Sequence, residues 1–152
     1  MEHVADITRI IQLAVAPVFL LTAIGTILSA LNNRLGRIVD RRRVVQERLR
    51  QGDSGDADRL KDDAYELELL ARRIGLIYHA IVMAIVCALL ICLLVASAFV
   101  GVFVAFDMAR LIGTLFILAM LALIGSLWLL LREVFLAVKV GSHDILLKNI
   151  LR

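Results

Sequence analysis

A stripe of mostly polar, uncharged side chains runs along the first apolar segment of the chain. The stripe comprises Gln12, Phe19, Thr22, Thr26, Ser29 and Asn33, and it continues into Arg37 and Asp40. At about 100° per residue, these positions fall on one broad face of an α-helix. Hydroxyl and amide oxygens can solvate an ion, so the stripe is a candidate pore lining with Phe19 as its constriction. The alternative is helix packing, in which Thr and Ser hydroxyls bond to neighbouring helices.

Pro17 lies inside the same segment. It removes one backbone hydrogen bond and clashes with the preceding turn, so we expect a kink there. Such a kink serves either as a hinge that exposes a carbonyl group or as a simple packing adjustment.

Charged residues lie beyond both ends of the apolar segments. Arg34, Arg37, Asp40 and Arg41 are candidates for an inner gate, through pairing of Arg37 with Asp40 between subunits, or for contact with lipid headgroups. At the opposite ends are Glu2, Asp6 and Asp107. These three either form an acidic outer vestibule that concentrates cations or are ordinary solvated carboxylates.

The sequence contains no motif of an enzyme or a metal site. It lacks HExxH, a glycine-rich phosphate loop and paired carboxylates inside the apolar segments. Cys87 and Cys92 are five residues apart on a predicted helix, so they point to different faces and are expected to be packing residues. We therefore predict neither enzymatic activity nor a cofactor.

The composition is that of a membrane protein. Of 152 residues, 61% are hydrophobic, whereas a soluble domain has about 45–50%. Three charge-free runs, at 10–31, 74–106 and 111–131, are each long enough to cross a bilayer. The net charge is +3, and the charged residues lie in the segments outside these runs. The charge therefore indicates how the chain is oriented in the membrane and not nucleic-acid binding.

Lysine and arginine are strongly biased to one side of the predicted membrane. Fifteen lie in segments 32–73 and 132–152, and only Arg9 and Arg110 lie on the other side. By the positive-inside rule, the central segment and the carboxyl-terminal tail are cytoplasmic. The amino terminus, 1–9, and the turn at 107–110 are then external.

The central segment is predicted to be helical. Apolar residues recur at helical spacing before and after a turn at 51–56, in two sets: Leu35, Ile38, Val45 and Leu49, then Leu60, Ala64, Leu67, Ala71 and Ile74. The fold class expected is an all-α membrane protein with three transmembrane helices. Helices one and two would extend into a cytoplasmic antiparallel helical hairpin. Gly141 and Ser142 are expected to break the tail into two pieces.

Two motifs resemble a known family. The stretch at 10–21, IIQLAVAPVFLL, and the stretch at 34–41, RLGRIVDR, resemble a bacterial family of small membrane proteins catalogued as domain of unknown function 2721. The resemblance covers most of the chain and implies a bacterial inner-membrane location. It implies no activity. It suggests that Pro17 and the cluster at Arg34, Arg37, Asp40 and Arg41 are family features.

Three functions are compatible with these patterns. The first is a homo-oligomeric channel for passive conduction of ions, with cations favoured, lined by helix one around a symmetry axis. The second is a structural or interaction protein whose basic segment binds anionic lipid headgroups or a protein partner. The third is an accessory subunit of a larger complex.

Overall fold

The protein is described by a computed structural model. Its backbone is described for residues 2–51, 57–104 and 109–150, and its side chains for residues 15–50, 60–101 and 109–137. Three helices make up this described part, with no strand: α1 (Glu2–Gln51), α2 (Ala57–Val104) and α3 (Ala109–Ile150).

Each helix is long and apolar enough to cross a membrane, as predicted. The candidate spans fall within Val15–Arg50, Leu60–Gly101 and Ala109–Ala137. About 20 residues suffice for a crossing, and α1 alone has 50. All three helices are therefore much longer than a crossing requires.

Two local expectations about helix breaks differ in outcome. α1 is helical on both sides of Pro17, so the proline does not end the helix. The kink expected at Pro17 stays a prediction. The predicted break at Gly141 and Ser142 is wrong, because α3 continues through both residues to Ile150. A glycine inside a helix costs only about 1 kcal/mol relative to alanine, which the surrounding helix formers can offset.

The first of two compact units contains α1 up to Ala30 and residues Ile81–Ser126. Its core combines branched side chains with small ones: Ile24, Ala84, Cys87, Ile91, Ala119 and Ala122. Small residues let helix backbones approach closely, which is the main way in which helices pack in lipid. Gly125 is part of this packing, since a Cβ atom there would lie 2.9 Å from the Met83 methyl group.

The second unit contains Leu31–Ala80 and the chain from Leu127 onward. Its α1 core residues, Leu31, Ile38 and Val45, are seven residues apart and buried. In α2 the buried positions of this unit include Leu70 and Ile77, also seven apart, and Ala80. A repeat of seven keeps one apolar seam facing its neighbours.

The apolar stripe noted in the sequence of α2 lies on a helix, as predicted, but it coincides only in part with the buried face. Leu60, Ala64 and Ala71 are exposed, whereas Leu67 and Ile74 are half-buried. The choice among several overlapping apolar positions depends on the neighbouring helices, which periodicity within one helix does not reveal.

Candidate functional site

A buried carboxylate lies in the second unit, on α3. The Glu133 side chain is only 1% exposed, although an unpaired buried charge is very costly. Its Oε2 accepts a hydrogen bond from Nη1 of Arg34 at 2.9 Å. Its Oε1 accepts from Nη2 of Arg73 at 2.7 Å and from Nε of Arg73 at 3.3 Å. Two guanidinium groups therefore neutralise one carboxylate.

Each helix supplies one member of this ion cluster. Arg34 comes from α1, Arg73 from α2 and Glu133 from α3. Their side chains are 39%, 21% and 1% exposed, respectively. The carboxylate is therefore enclosed, whereas the arginines reach outward, because their apolar stems can be buried while the charged ends stay near water.

A second ion pair joins α1 to α2. Nε of Arg41 donates to Oε1 of Glu66 at 2.7 Å, and Nη2 of Arg41 donates to Oε2 at 3.2 Å. This is the two-bond geometry that suits a planar guanidinium group and a carboxylate. Both side chains are substantially exposed, so the pair contributes less to stability than its geometry alone suggests.

These side chains border a cavity of about 410 Å³, which we call the arginine cavity. It is lined by Arg34, Arg37, Ile38, Arg41, Leu70, Arg73 and Glu133. Four arginines face one carboxylate in the lining, and the Glu66 partner of Arg41 brings the number of carboxylates to two. The lining of the cavity is therefore predominantly positive.

Arg37 differs from the other arginines of the cavity. Its side chain is exposed, and within the part of the chain whose side chains are described it makes no hydrogen bond or ion pair. An arginine has five N–H donors and no acceptor. Arg37 therefore presents unused donors to whatever enters the cavity, and this arrangement suits an anion.

The residues of the polar stripe are on the surface of the chain. Where side chains are described, the exposed members are Phe19, Thr22, Thr26, Ser29 and Asn33. The Oγ1 atoms of Thr22 and Thr26 donate to the carbonyl oxygens of Val18, at 3.5 Å, and of Thr22, at 3.1 Å. The Gln12 side chain lies outside the described residues.

The remaining candidates divide between the cavity, the surface and the undescribed part of the chain. Arg34, Arg37 and Arg41 are brought together in the cavity, whereas Asp40 is exposed and is not part of its lining. Pro17 is half-buried within α1. The side chains of Glu2 and Asp6, and the whole of Asp107, lie outside the described residues.

Sequence reasoning missed Arg73 and Glu133. A signal for them exists, since Arg73 directly precedes the apolar run at 74–106 and Glu133 lies two residues after the run at 111–131. Arg34 likewise lies three residues after the run at 10–31. Two cations and one anion at the equivalent ends of three spans are expected at the same depth in the membrane, where they can pair.

Three long apolar helices joined by charged segments define the class of all-α, multi-pass membrane proteins. Among the described residues, no group of three or more His, Cys, Asp or Glu side chains could hold a metal ion.

The chain belongs to the family described as "Protein of unknown function (DUF2721)", whose model matches residues 14–142. This range includes the whole arginine cavity. No curated protein and no solved structure matches the chain.

Proposed function

We propose that this protein binds anionic lipid headgroups through its arginine-rich segment, at the cytoplasmic surface of a bacterial inner membrane. The observation that carries the proposal is the arginine cavity, whose lining contains four arginines and one carboxylate. The strong bias of lysine and arginine to one side of the predicted spans supports the cytoplasmic placement, and with it a cytoplasmic hairpin formed by α1 and α2.

The position of the cavity along the helices suits a headgroup. Arg34 and Arg37 lie three and six residues beyond the first apolar run. At 1.5 Å per residue, these offsets correspond to about 4.5 and 9 Å along the helix axis. The polar headgroup region is roughly 5–8 Å thick on each side of the hydrocarbon core. If the apolar run spans the core, the backbone of Arg34 lies within this region. The backbone of Arg37 lies just beyond its outer edge, and the long arginine side chain can reach back to the lipid phosphates.

The energetics also favour anionic lipids. Each lysine or arginine near an anionic leaflet contributes about 1 kcal/mol of attraction. Basic pockets between membrane helices add to this by replacing diffuse attraction with direct N–H···O contacts to phosphate oxygens. Zwitterionic headgroups carry their own cation, so they gain less from the same cavity.

Lipid retention measures this proposal directly. The full-length protein in neutral detergent is incubated with phosphatidylglycerol or with phosphatidylcholine, and bound lipid is counted by native mass spectrometry. We expect preferential retention of phosphatidylglycerol, which weakens as salt is added because exposed charges are screened. Equal retention of the two lipids would refute the proposal.

A second candidate function is the homo-oligomeric ion channel, which the geometry of Thr22 and Thr26 favours. Both hydroxyl groups donate to carbonyls of their own helix, so their oxygen lone pairs stay available on the exposed face. A cation requires such lone pairs. Copies of α1 around a symmetry axis would bring these oxygens together, while Arg37 and Asp40 would form the inner gate and the external carboxylates the vestibule.

A matched pair of variants tests the channel. The double variant Thr22→Val, Thr26→Val removes the oxygens of the stripe, whereas Thr114→Val removes an equivalent hydroxyl on α3, which donates to the Arg110 carbonyl. In liposomes, the double variant should change ion flux and the control should not. Absence of flux through the unmodified protein across ions, voltages and pH values would remove this candidate.

A further inference from the structure

We infer that a phosphate group bound in the arginine cavity bridges α1 and α2. Its direct ligands are Arg34 and Arg37 of α1 and Arg73 of α2, so the bound anion is a structural ligand that ties the two helices together. The inference rests on the proposed function and deepens it. The proposed function names a class of lipid and a segment of the chain, whereas the inference names the group that is bound, the residues that bind it and its effect on the protein.

Three arginines of the cavity have N–H donors that no group in the described part of the chain uses. Arg34 bonds to Glu133 through Nη1 alone, which leaves Nε and Nη2. Arg73 bonds to Glu133 through Nε and Nη2, which leaves Nη1. Arg37 makes no hydrogen bond or ion pair within the same described residues. The cavity therefore offers unused donors from two helices.

These donors border one space and are partly oriented in advance. Arg34 and Arg37 are three residues apart, so their side chains are neighbours on the surface of α1. Arg73 lines the same cavity from α2. Glu133 holds Arg34 and Arg73 by hydrogen bonds of 2.7–3.3 Å. Two of the three guanidinium groups are therefore fixed before a ligand arrives, which lowers the entropy cost of binding.

A phosphate group suits this arrangement better than a carboxylate does. The two oxygens of a carboxylate lie in one plane, and a single guanidinium group can engage both of them. The oxygens of a phosphate group point toward the corners of a tetrahedron, so they can accept from arginines on different helices. The cavity volume of about 410 Å³ is within the usual range of roughly 300–1,000 Å³ for ligand sites, so the group fits.

The exposure of the arginines sets the size of the expected effects. Arg34 and Arg73 are 39% and 21% exposed, and Arg37 is exposed as well. Water therefore reaches the site, competes for the same donors and weakens each contact. The phosphate group is held by several modest contacts, so the loss of one arginine weakens binding severalfold and does not abolish it.

Substitutions of Arg37 separate direct contact from diffuse attraction. Arg37→Gln removes both the charge and the donors of the guanidinium group, and it should weaken phosphatidylglycerol binding about fivefold. Arg37→Lys keeps the charge but loses the planar pair of donors, and it should weaken binding about threefold. Arg48 is the matched control, because it is an exposed arginine of α1 outside the cavity. Arg48→Gln and Arg48→Lys should each change binding by less than about 1.5-fold.

Binding is measured on the full-length protein in neutral detergent. Native mass spectrometry gives the affinities for phosphatidylglycerol, phosphatidylcholine and inorganic phosphate, and circular dichroism checks that each variant keeps its helix content. Hydrogen exchange then follows the backbone amides of 31–41 in α1 and 66–77 in α2. At a lipid concentration near the dissociation constant, phosphatidylglycerol should slow exchange in both segments. The effect should persist in Arg48→Gln and be clearly smaller in Arg37→Gln.

Other results would overturn defined parts of this assignment. If the Arg37 and Arg48 variants weaken binding equally, or if Arg37→Lys binds as tightly as the unmodified protein, the direct contact is refuted while the proposed function stands. Slower exchange in α1 alone would refute the bridge between the helices. If inorganic phosphate binds as tightly as phosphatidylglycerol and shows the same dependence on Arg37, the bridge stands with free phosphate as its source, and the proposed function fails. If phosphatidylcholine binds as tightly as phosphatidylglycerol, the preference for anionic lipids fails, and the Arg37 variants decide the inference by themselves.

Discussion

Neutralising the buried carboxylate should destabilise the protein far more than neutralising the exposed one. Glu133→Gln keeps the shape of the side chain but removes the charge that receives hydrogen bonds from Arg34 and Arg73. Removing one partner of a buried ion pair costs about 3–5 kcal/mol. The two arginines are 39% and 21% exposed, so they can regain some water. We therefore expect a loss of about 3 kcal/mol, roughly a hundredfold in the folding equilibrium.

Glu66→Gln is the matched control. It removes the same charge from a two-bond pair with Arg41, but the two side chains of that pair are 34% and 49% exposed. Exposed pairs contribute less than about 1 kcal/mol. Both variants are unfolded in mixed micelles with increasing sodium dodecyl sulfate, and helix content is followed by circular dichroism. A Glu133→Gln midpoint equal to that of Glu66→Gln would refute the assignment of Glu133 as a buried, doubly paired charge.

A rescue experiment sharpens this result. Replacing a complete buried ion cluster by apolar residues is often neutral or stabilising, because no charge is left without a partner. The triple variant Arg34→Met, Arg73→Met, Glu133→Leu should therefore be more stable than Glu133→Leu alone. If the triple variant is the less stable of the two, the arginines stabilise the fold by contacts other than those with Glu133.

Two further predictions concern the first unit. Gly113→Ala should stabilise α3 by up to about 1 kcal/mol, because nothing lies within 4 Å of the added methyl group. Gly125→Ala should gain less stability, because the added methyl group would lie 2.9 Å from the Met83 methyl group, which must move away. Equal unfolding midpoints for the two variants would contradict the close packing. In detergent, an apolar thiol reagent should label Cys92, which is on the surface of its span, faster than the buried Cys87. The labelling requires the thiolate, so it should be slow in both cases. Cys92→Ala should remove the faster labelling, and Cys87→Ala should preserve it.

The sequence was sufficient for the helices because their signal is local. Long charge-free runs require helices in a bilayer, since every backbone N–H and C=O group must be bonded within its own segment. The buried positions of α2 needed more information. Leu70 and Ile77 are chosen by what packs against them, and the periodicity of α2 alone also allowed Leu60, Ala64 and Ala71.

The candidate site could be anticipated only in part. Arg34, Arg37 and Arg41 were identified because they are close together in one motif. Glu133 lies 99 residues from Arg34 and 60 from Arg73 along the chain, so no local pattern joins them. Their pairing depends on three helices meeting at one level, and only the position of each charge beside an apolar run hints at it.

The long separation of these partners also imposes an order on biosynthesis. Arg73 is made 60 residues before the carboxylate that pairs with it, which takes between roughly 3 and 12 s at a rate of 5–20 residues per second. During that interval α1 and α2 carry two cations whose shared counter-ion has not yet been made. The last helix to be translated therefore supplies the carboxylate that both arginines share, so this ion cluster forms only after α3 has been made.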